Sequence, residues 1–222
     1  ETAKNYAADP EHRLSVEDIL GAETGSYEAA RLYPLSWAFI AFLLQTERAG
    51  YQRFLYESFV LLENDSGYNR NSQKENTALL LDRFQRNTRF VGADESFLSW
   101  LGEQRTFSEL LSGGVEQYNK GKFRTAMKDL QRAWELQPSD PLPVYYLGLC
   151  AYGAGMYKES SDWYLRALDN GADAATVHWA LALSSHALRD YRQARTYLDK
   201  AVLLSPERYS DKAASLLSSM PQ

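Results

Sequence analysis

Residues 107–140 read FSELLSGGVEQYNKGKFRTAMKDLQRAWELQPSD, residues 141–174 read PLPVYYLGLCAYGAGMYKESSDWYLRALDNGADA, and residues 175–208 read ATVHWALALSSHALRDYRQARTYLDKAVLLSPER. Set one above another, these three 34-residue windows share one pattern. Position 8 is Gly114, Gly148 and Ala182; position 20 is Ala126, Ser160 and Ala194; position 27 is Ala133, Ala167 and Ala201. Position 17 is aromatic each time, as Phe123, Tyr157 and Tyr191. Position 15 is Gly121, Gly155 and Arg189, and position 32 is Pro138, Ala172 and Pro206. Small residues let the two helices of a pair approach closely, and a large ring just after the turn plugs the gap between pairs. Proline ends the second helix and opens the next unit.

The periodicity within a window points the same way. From Thr125 to Trp134, Ala126, Leu130 and Ala133 fall on one helical face, with Lys128, Asp129 and Arg132 toward water. Such a unit cannot bury its apolar stripe alone, so neighbouring units must stack. Helices are expected at 107–119, 124–136, 141–154, 158–169, 175–188 and 192–203. Ala167 falls at a crowded crossing, while its neighbour Arg166 faces water.

Residues 107–208 resemble the tetratricopeptide repeat family. The resemblance implies helix–turn–helix units in a right-handed superhelix with a concave, peptide-binding face. In that family, positions 2, 5, 9 and 12 of each first helix line the groove. Here they are Ser108, Leu111, Val115 and Tyr118; then Leu142, Tyr145, Leu149 and Tyr152; then Thr176, Trp179, Leu183 and His186. Some members clamp a terminal carboxylate with Lys and Asn at positions 5 and 9, but those positions are aliphatic or aromatic in this chain. The resemblance therefore implies an apolar, aromatic groove. Its occupant is a partner protein or peptide, the N-terminal helices of the same chain, or its last helix. Tyr209 to Met220, with Ala213, Ala214, Leu216 and Leu217 at helical spacing, reads as a cap on the final repeat.

With 222 residues, 45% of them hydrophobic, the chain can bury a substantial core. The formal charge of −5 is uneven: residues 1–106 hold 11 Lys or Arg against 16 Asp or Glu, and residues 107–222 hold 13 of each. Neither half supplies the dense positive field of a nucleic-acid binder. The apolar run from Leu35 to Leu44 is too short to span a bilayer. Cys150 is the single cysteine and reads as a buried thiol at position 10 of the second repeat. Asn64-Asp65-Ser66 matches a glycosylation acceptor, a common tripeptide. Phosphate loops, nucleophile elbows and calcium loops are missing from the sequence. The three histidines are His12, His178 and His186; the last two are eight residues apart on one helix, about 12 Å by helical rise, and cannot chelate one ion. The expectation is a chain with no catalytic residue, metal or cofactor.

The first hundred residues read as helices joined by polar linkers. Ser15 with Asp18 caps a short helix that Gly21 ends. A longer helix is expected from Ser26 to about Glu47, starting near Leu35 or kinking at Pro34. Another is expected from Tyr51 to Glu63 with Phe54, Phe59 and Leu62 on one side, then a polar linker from Asn64 to Glu75, then helices at 76–86 and 95–103. The order Leu14-Ser15-Val16-Glu17-Asp18-Ile19-Leu20 and then Tyr33-Pro34-Leu35-Ser36-Trp37 resembles the tail of a domain in zincin-like, peptidase-MA-type bacterial proteins. In that family a Tyr-x-x-Ser-Trp helix packs behind the catalytic helices, and tetratricopeptide repeats often follow. The family's His-Glu-x-x-His signature is missing here. The resemblance therefore implies a non-catalytic C-terminal portion of such a protein, with the catalytic half before Glu1 or lost, in the bacterial periplasm or cell envelope.

The expected architecture is all-α: a helical subdomain over residues 1–106, repeats at 107–140, 141–174 and 175–208, and a capping helix at 209–220. The expected function is protein–protein interaction or scaffolding, a structural homodimer being a further alternative.

Overall fold

The computed structural model describes residues 1–222 apart from residues 24, 26, 47–48, 64–69, 88–89 and 222. The glycosylation tripeptide at 64–66 lies outside the described residues. Thirteen α-helices make up the regular structure of the described residues, in two compact units, Glu1–Gln104 and Arg105–Gln222.

The first unit contains α1 (Thr2–Ala8), α2 (Val16–Leu20), α3 (Ala29–Gln45), α4 (Ala49–Glu63), α5 (Arg70–Arg86) and α6 (Ala93–Glu103). Ser15 forms a reciprocal capping box with Asp18 at the start of α2. The Asp94 carboxylate, on the first turn of α6, accepts the Val16 amide at 2.6 Å and ties α2 to α6. Pro34 sits inside α3, which runs from Ala29 to Gln45, so of the two alternatives the start near Leu35 is not the one adopted. The core is aromatic: Phe39 meets Phe97 edge-on at 5.5 Å, and Tyr51 stacks on Phe90 at 4.9 Å.

Two expectations fail in this unit. On α4 the buried residues are Tyr51, Phe54 and Leu55, whereas Phe59 is 53% exposed. Five residues along a helix turn a side chain about 140° away from Phe54, so the two cannot share a face; the side chain of Leu62 lies outside the described residues. The linker expected to reach Glu75 is helical from Arg70. Polarity misled there, because Gln, Lys and Glu are good helix formers.

The second unit pairs α7 (Phe107–Asn119) with α8 (Phe123–Leu136), α9 (Pro141–Gly153) with α10 (Tyr157–Asp169), and α11 (Ala174–Ala187) with α12 (Tyr191–Leu204), and closes with α13 (Pro206–Ser218). Each second helix packs against the first helix of the next pair: α8 on α9, α10 on α11, and α12 on α13. The boundary residue Arg105 belongs with the repeats, its guanidinium reaching Asp129 at 2.5 Å and the Glu109 carbonyl at 3.1 Å. Asp129 is therefore half-buried, not the plain solvent-facing residue its helical position suggests.

The repeated small residues carry the packing. A Cβ added to Gly114 would stand 2.6 Å from Leu130, and one added to Gly148 2.5 Å from the Tyr164 ring. Position 8 is thus a socket for the large residue at position 24 of the same repeat, and in the third repeat Ala182 and Leu198 share one core cluster. The position-17 plug works between repeats, the Phe123 ring filling the space where a Gly153 side chain would be.

Ala167 has no exposed surface, and Arg166 beside it is more than a solvated residue. The Arg166 guanidinium lies 5.0 Å from the Trp163 ring centre and 5.8 Å from that of Trp134. Ala167→Leu is expected to cost about 1–3 kcal/mol by overpacking. Arg166→Ala should cost about 0.5–1 kcal/mol, through the lost cation–ring contact at an exposed site. Urea titrations of both variants check the ranking, and equal losses would contradict this packing.

Candidate binding face

The first helices of the three pairs are held in register by repeated turn chemistry. Gly121, Gly155 and Arg189 all have positive φ, at 70°, 78° and 62°. After each, the next amide reaches back to the carbonyl at position 11: Lys122 to Gln117, Met156 to Ala151, and Asp190 to Ser185, each at 2.9 Å. These are the six-to-one bonds of a Schellman turn, which closes a helix end and favours glycine at the left-handed residue. Arg189 adopts the same conformation without being glycine.

With the turns alike, the same positions face the same way. Leu111, Val115 and Tyr118 stand on α7, Leu142, Tyr145, Leu149 and Tyr152 on α9, and Thr176, Trp179, Leu183 and His186 on α11. All except the exposed Leu142 are half-buried, as expected of side chains rooted in a core and open on one flank. Tyr118 meets Tyr146 at 5.7 Å, and Tyr145 touches both Tyr146 and Tyr164. Burial pushes the Tyr145 hydroxyl up to about 12, so it stays neutral. Tyr152 rests on Tyr157 at 5.3 Å.

Trp179 is engaged by the capping helix. Its ring stacks on Tyr209 of α13 at 5.5 Å, and the Tyr209 hydroxyl donates to the Thr176 hydroxyl at 3.2 Å. Arg208 reaches Thr176 at 3.2 Å and Asp173 at 3.4 Å. At the other end of α11, the Ser219 hydroxyl lies 3.4 Å from His186 Nε2. Of the residues expected to form one surface, Tyr145 meets Tyr146 and Tyr164, Tyr152 meets Tyr157, and Trp179 meets Tyr209, so α13 packs on the third repeat's share. Arg208 and Tyr209 went unnoticed in the sequence because they end the third window and begin the capping segment, outside the repeated positions.

Between the second and third repeats a pocket of about 260 Å³ opens, lined by Pro141, Leu142, Tyr145, Gly171, Ala172, Asp173, Thr176 and Val177. It lies where the repeat pattern departs from itself. In the other two inter-repeat turns, Gln137 and Ser205 keep negative φ, at −138° and −151°, before Pro138 and Pro206. Here Gly171 is left-handed, at φ 88°, and is followed by Ala172. A residue before proline is driven to extended backbone, while glycine is free to turn the other way.

The remaining reactive types are spent on structure. Cys150 is fully buried and its thiol is pushed up to about 11 by that burial, so it is not a thiolate nucleophile at neutral pH. Its counterpart in the third repeat, Ser184, faces Ser160 at 3.1 Å across the buried junction and donates to the Ala180 carbonyl. Among the described residues no group of three or more His, Cys, Asp or Glu is placed to hold a metal ion, and no helix is long and apolar enough to cross a membrane.

His178 stacks on Tyr197 at 5.8 Å with a buried, unpartnered Nδ1. Burial, and then Lys200, lower its pKa below the ordinary histidine value. The unfolded chain therefore takes up this proton first, so the contribution is complete above about pH 6.5 and is lost as pH falls below it. Urea midpoints at pH 7.5 and 5.5 should differ less in His178→Phe than in the parent chain.

No family model matches the chain. Two uncharacterized TPR repeat-containing proteins of Arabidopsis thaliana are similar to it. One is 32% identical over 125 residues, 52% of this chain and 15% of that protein. The other is 35% identical over 80 residues, 36% of this chain and 10% of that protein. The 34-residue register, the stacked helix pairs and these relatives agree. At superfamily level, residues 107–208 are tetratricopeptide repeats.

The matches span only those small fractions of the two relatives' lengths. Anaphase-promoting complex subunit 6 of Arabidopsis thaliana is 29% identical over 102 residues, 44% of this chain and 19% of that protein. Two solved structures also overlay on about half the chain. The Yersinia enterocolitica type III secretion translocator chaperone SycD gives a TM-score of 0.49 at 21% identity, covering 53% of this chain and 92% of SycD. PcrH, solved with the chaperone-binding region of PopB, gives 0.47 at 22% identity, covering 50% of this chain and 94% of PcrH. None of these comparisons supports the peptidase-MA-type resemblance of the first hundred residues. Its two aromatic markers, Tyr33 and Trp37, point outward, Trp37 being 71% exposed.

Proposed function

We propose that this chain is a non-catalytic interaction module that holds a polypeptide segment along the faces of α7 and α9. The supporting observation is the uncharged stripe of Leu111, Val115, Tyr118, Leu142, Tyr145, Leu149 and Tyr152, half-open on stacked helices, while α13 covers Trp179 and His186. Rigid aromatic anchors on such a face are the residue types that dominate binding energy. An apolar face implies affinity that depends little on salt.

The test is selection of a random-peptide phage library on the full chain, followed by calorimetry of a selected peptide. Val115→Glu should weaken binding at least tenfold by placing a charge in the stripe, and Tyr152→Ala should weaken it as well. Failure to select any peptide, or affinity unchanged by Val115→Glu, would overturn this reading.

A further inference from the structure

We infer that the pocket between the second and third repeats is an anchor site for one large, uncharged, apolar side chain of the bound segment. This rests on the groove reading above and names what the groove selects. A volume of about 260 Å³ is below the roughly 300–1,000 Å³ of small-molecule sites but suits a single large side chain. Pro141, Leu142, Tyr145, Ala172 and Val177 make most of the wall, and Asp173 is the one charged lining residue.

That carboxylate is already engaged. Asp173 caps α11 by accepting the Thr176 amide at 3.0 Å, takes the Thr176 hydroxyl as well, and pairs with Arg208 at 3.4 Å. These contacts hold its pKa below the ordinary carboxylate range, led by the Thr176 hydroxyl. A cationic side chain entering the pocket would have to displace Arg208, and an anionic one would face Asp173. An apolar side chain gives up no solvation of its own and removes the exposed flank of Leu142, half-exposed at 50%, from water.

The turn that borders the pocket is built differently from the other two. At Gly171 a Cβ would meet nothing within 4 Å, so the turn leaves open space. The other inter-repeat turns place Gln137-Pro138 and Ser205-Pro206 at the matching positions. The pocket thus borders the one turn of the three that has no proline at position 32.

The experiment is an NMR titration of the ¹⁵N-labelled full chain with N-acetyl-leucinamide, N-acetyl-lysinamide and N-acetyl-aspartamide. The leucine probe should give saturable shifts at the amides of Gly171, Ala172, Asp173, Thr176 and Val177. The two charged probes should bind at least fivefold more weakly. Ala172→Leu, which fills the pocket, should abolish the leucine response. Leu142→Ala, a change at an exposed wall, should weaken it severalfold without threatening the fold. No saturable response, an equal response to all three probes, or persistence in both variants overturns the inference. If selected peptides bind Ala172→Leu undiminished and the leucine probe is silent, the pocket fails while the groove reading stands. If the leucine probe binds but no peptide can be selected, the groove reading fails and the pocket's preference is upheld.

Discussion

Tyr164→Ala is expected to lower the unfolding free energy by about 3–5 kcal/mol, the range for emptying a buried aromatic site. Tyr164 is 1% exposed and fills the socket left by Gly148, its ring also meeting Tyr145 at 5.6 Å. The same socket makes Gly148→Ala costly, by about 1–3 kcal/mol, because the added carbon would stand 2.5 Å from the ring. Restoring size balance should recover part of that loss. The third repeat already pairs Ala182 with Leu198, so Gly148→Ala combined with Tyr164→Leu reproduces a pairing the fold accepts. A double-mutant cycle in urea should show a favourable coupling of about 1–2 kcal/mol. Simple additivity would mean that positions 8 and 24 do not share one volume.

Trp179→Ala is expected to cost about 2–3 kcal/mol, somewhat less than a fully buried tryptophan, since the ring is only half-buried. What it loses is the stack on Tyr209, one of the contacts that fasten α13 over α11. Amides of α13 should then exchange with solvent faster than those of α12, as a terminal element opens before the rest. Tyr209→Ala should repeat the effect from the other side. If Trp179→Ala left stability and α13 exchange unchanged while weakening a selected peptide, Trp179 would be a partner contact instead of a cap contact.

How much of this was legible in the sequence varies with how local the cause is. The six repeat helices lie within a residue of their expected ends, because each end is written locally. Asp140 and Asp173 cap α9 and α11, Gly121 and Gly155 turn the chain, and Pro206 starts α13. The small positions Ala126, Ala133, Ala167, Ala194 and Ala201 all prove fully buried. In the first unit, α1 and the first two turns of α5 were missed, because short or polar helices carry no apolar period to read.

The amino-acid sequence by itself determined that residues 107–208 form stacked helix pairs, and which residues line their first helices, because a 34-residue repeat states the same local geometry three times. It could not determine what covers those residues. Whether Trp179 faces a partner or Tyr209, whether Arg166 is solvated or laid on Trp163 and Trp134, and whether the Gly171-Ala172 turn opens a pocket are decided by elements distant in sequence. Helix propensity and capping act over a few residues, whereas exposure depends on every element that packs alongside. Only the tertiary structure could therefore separate the open part of the face from the part the chain keeps for itself.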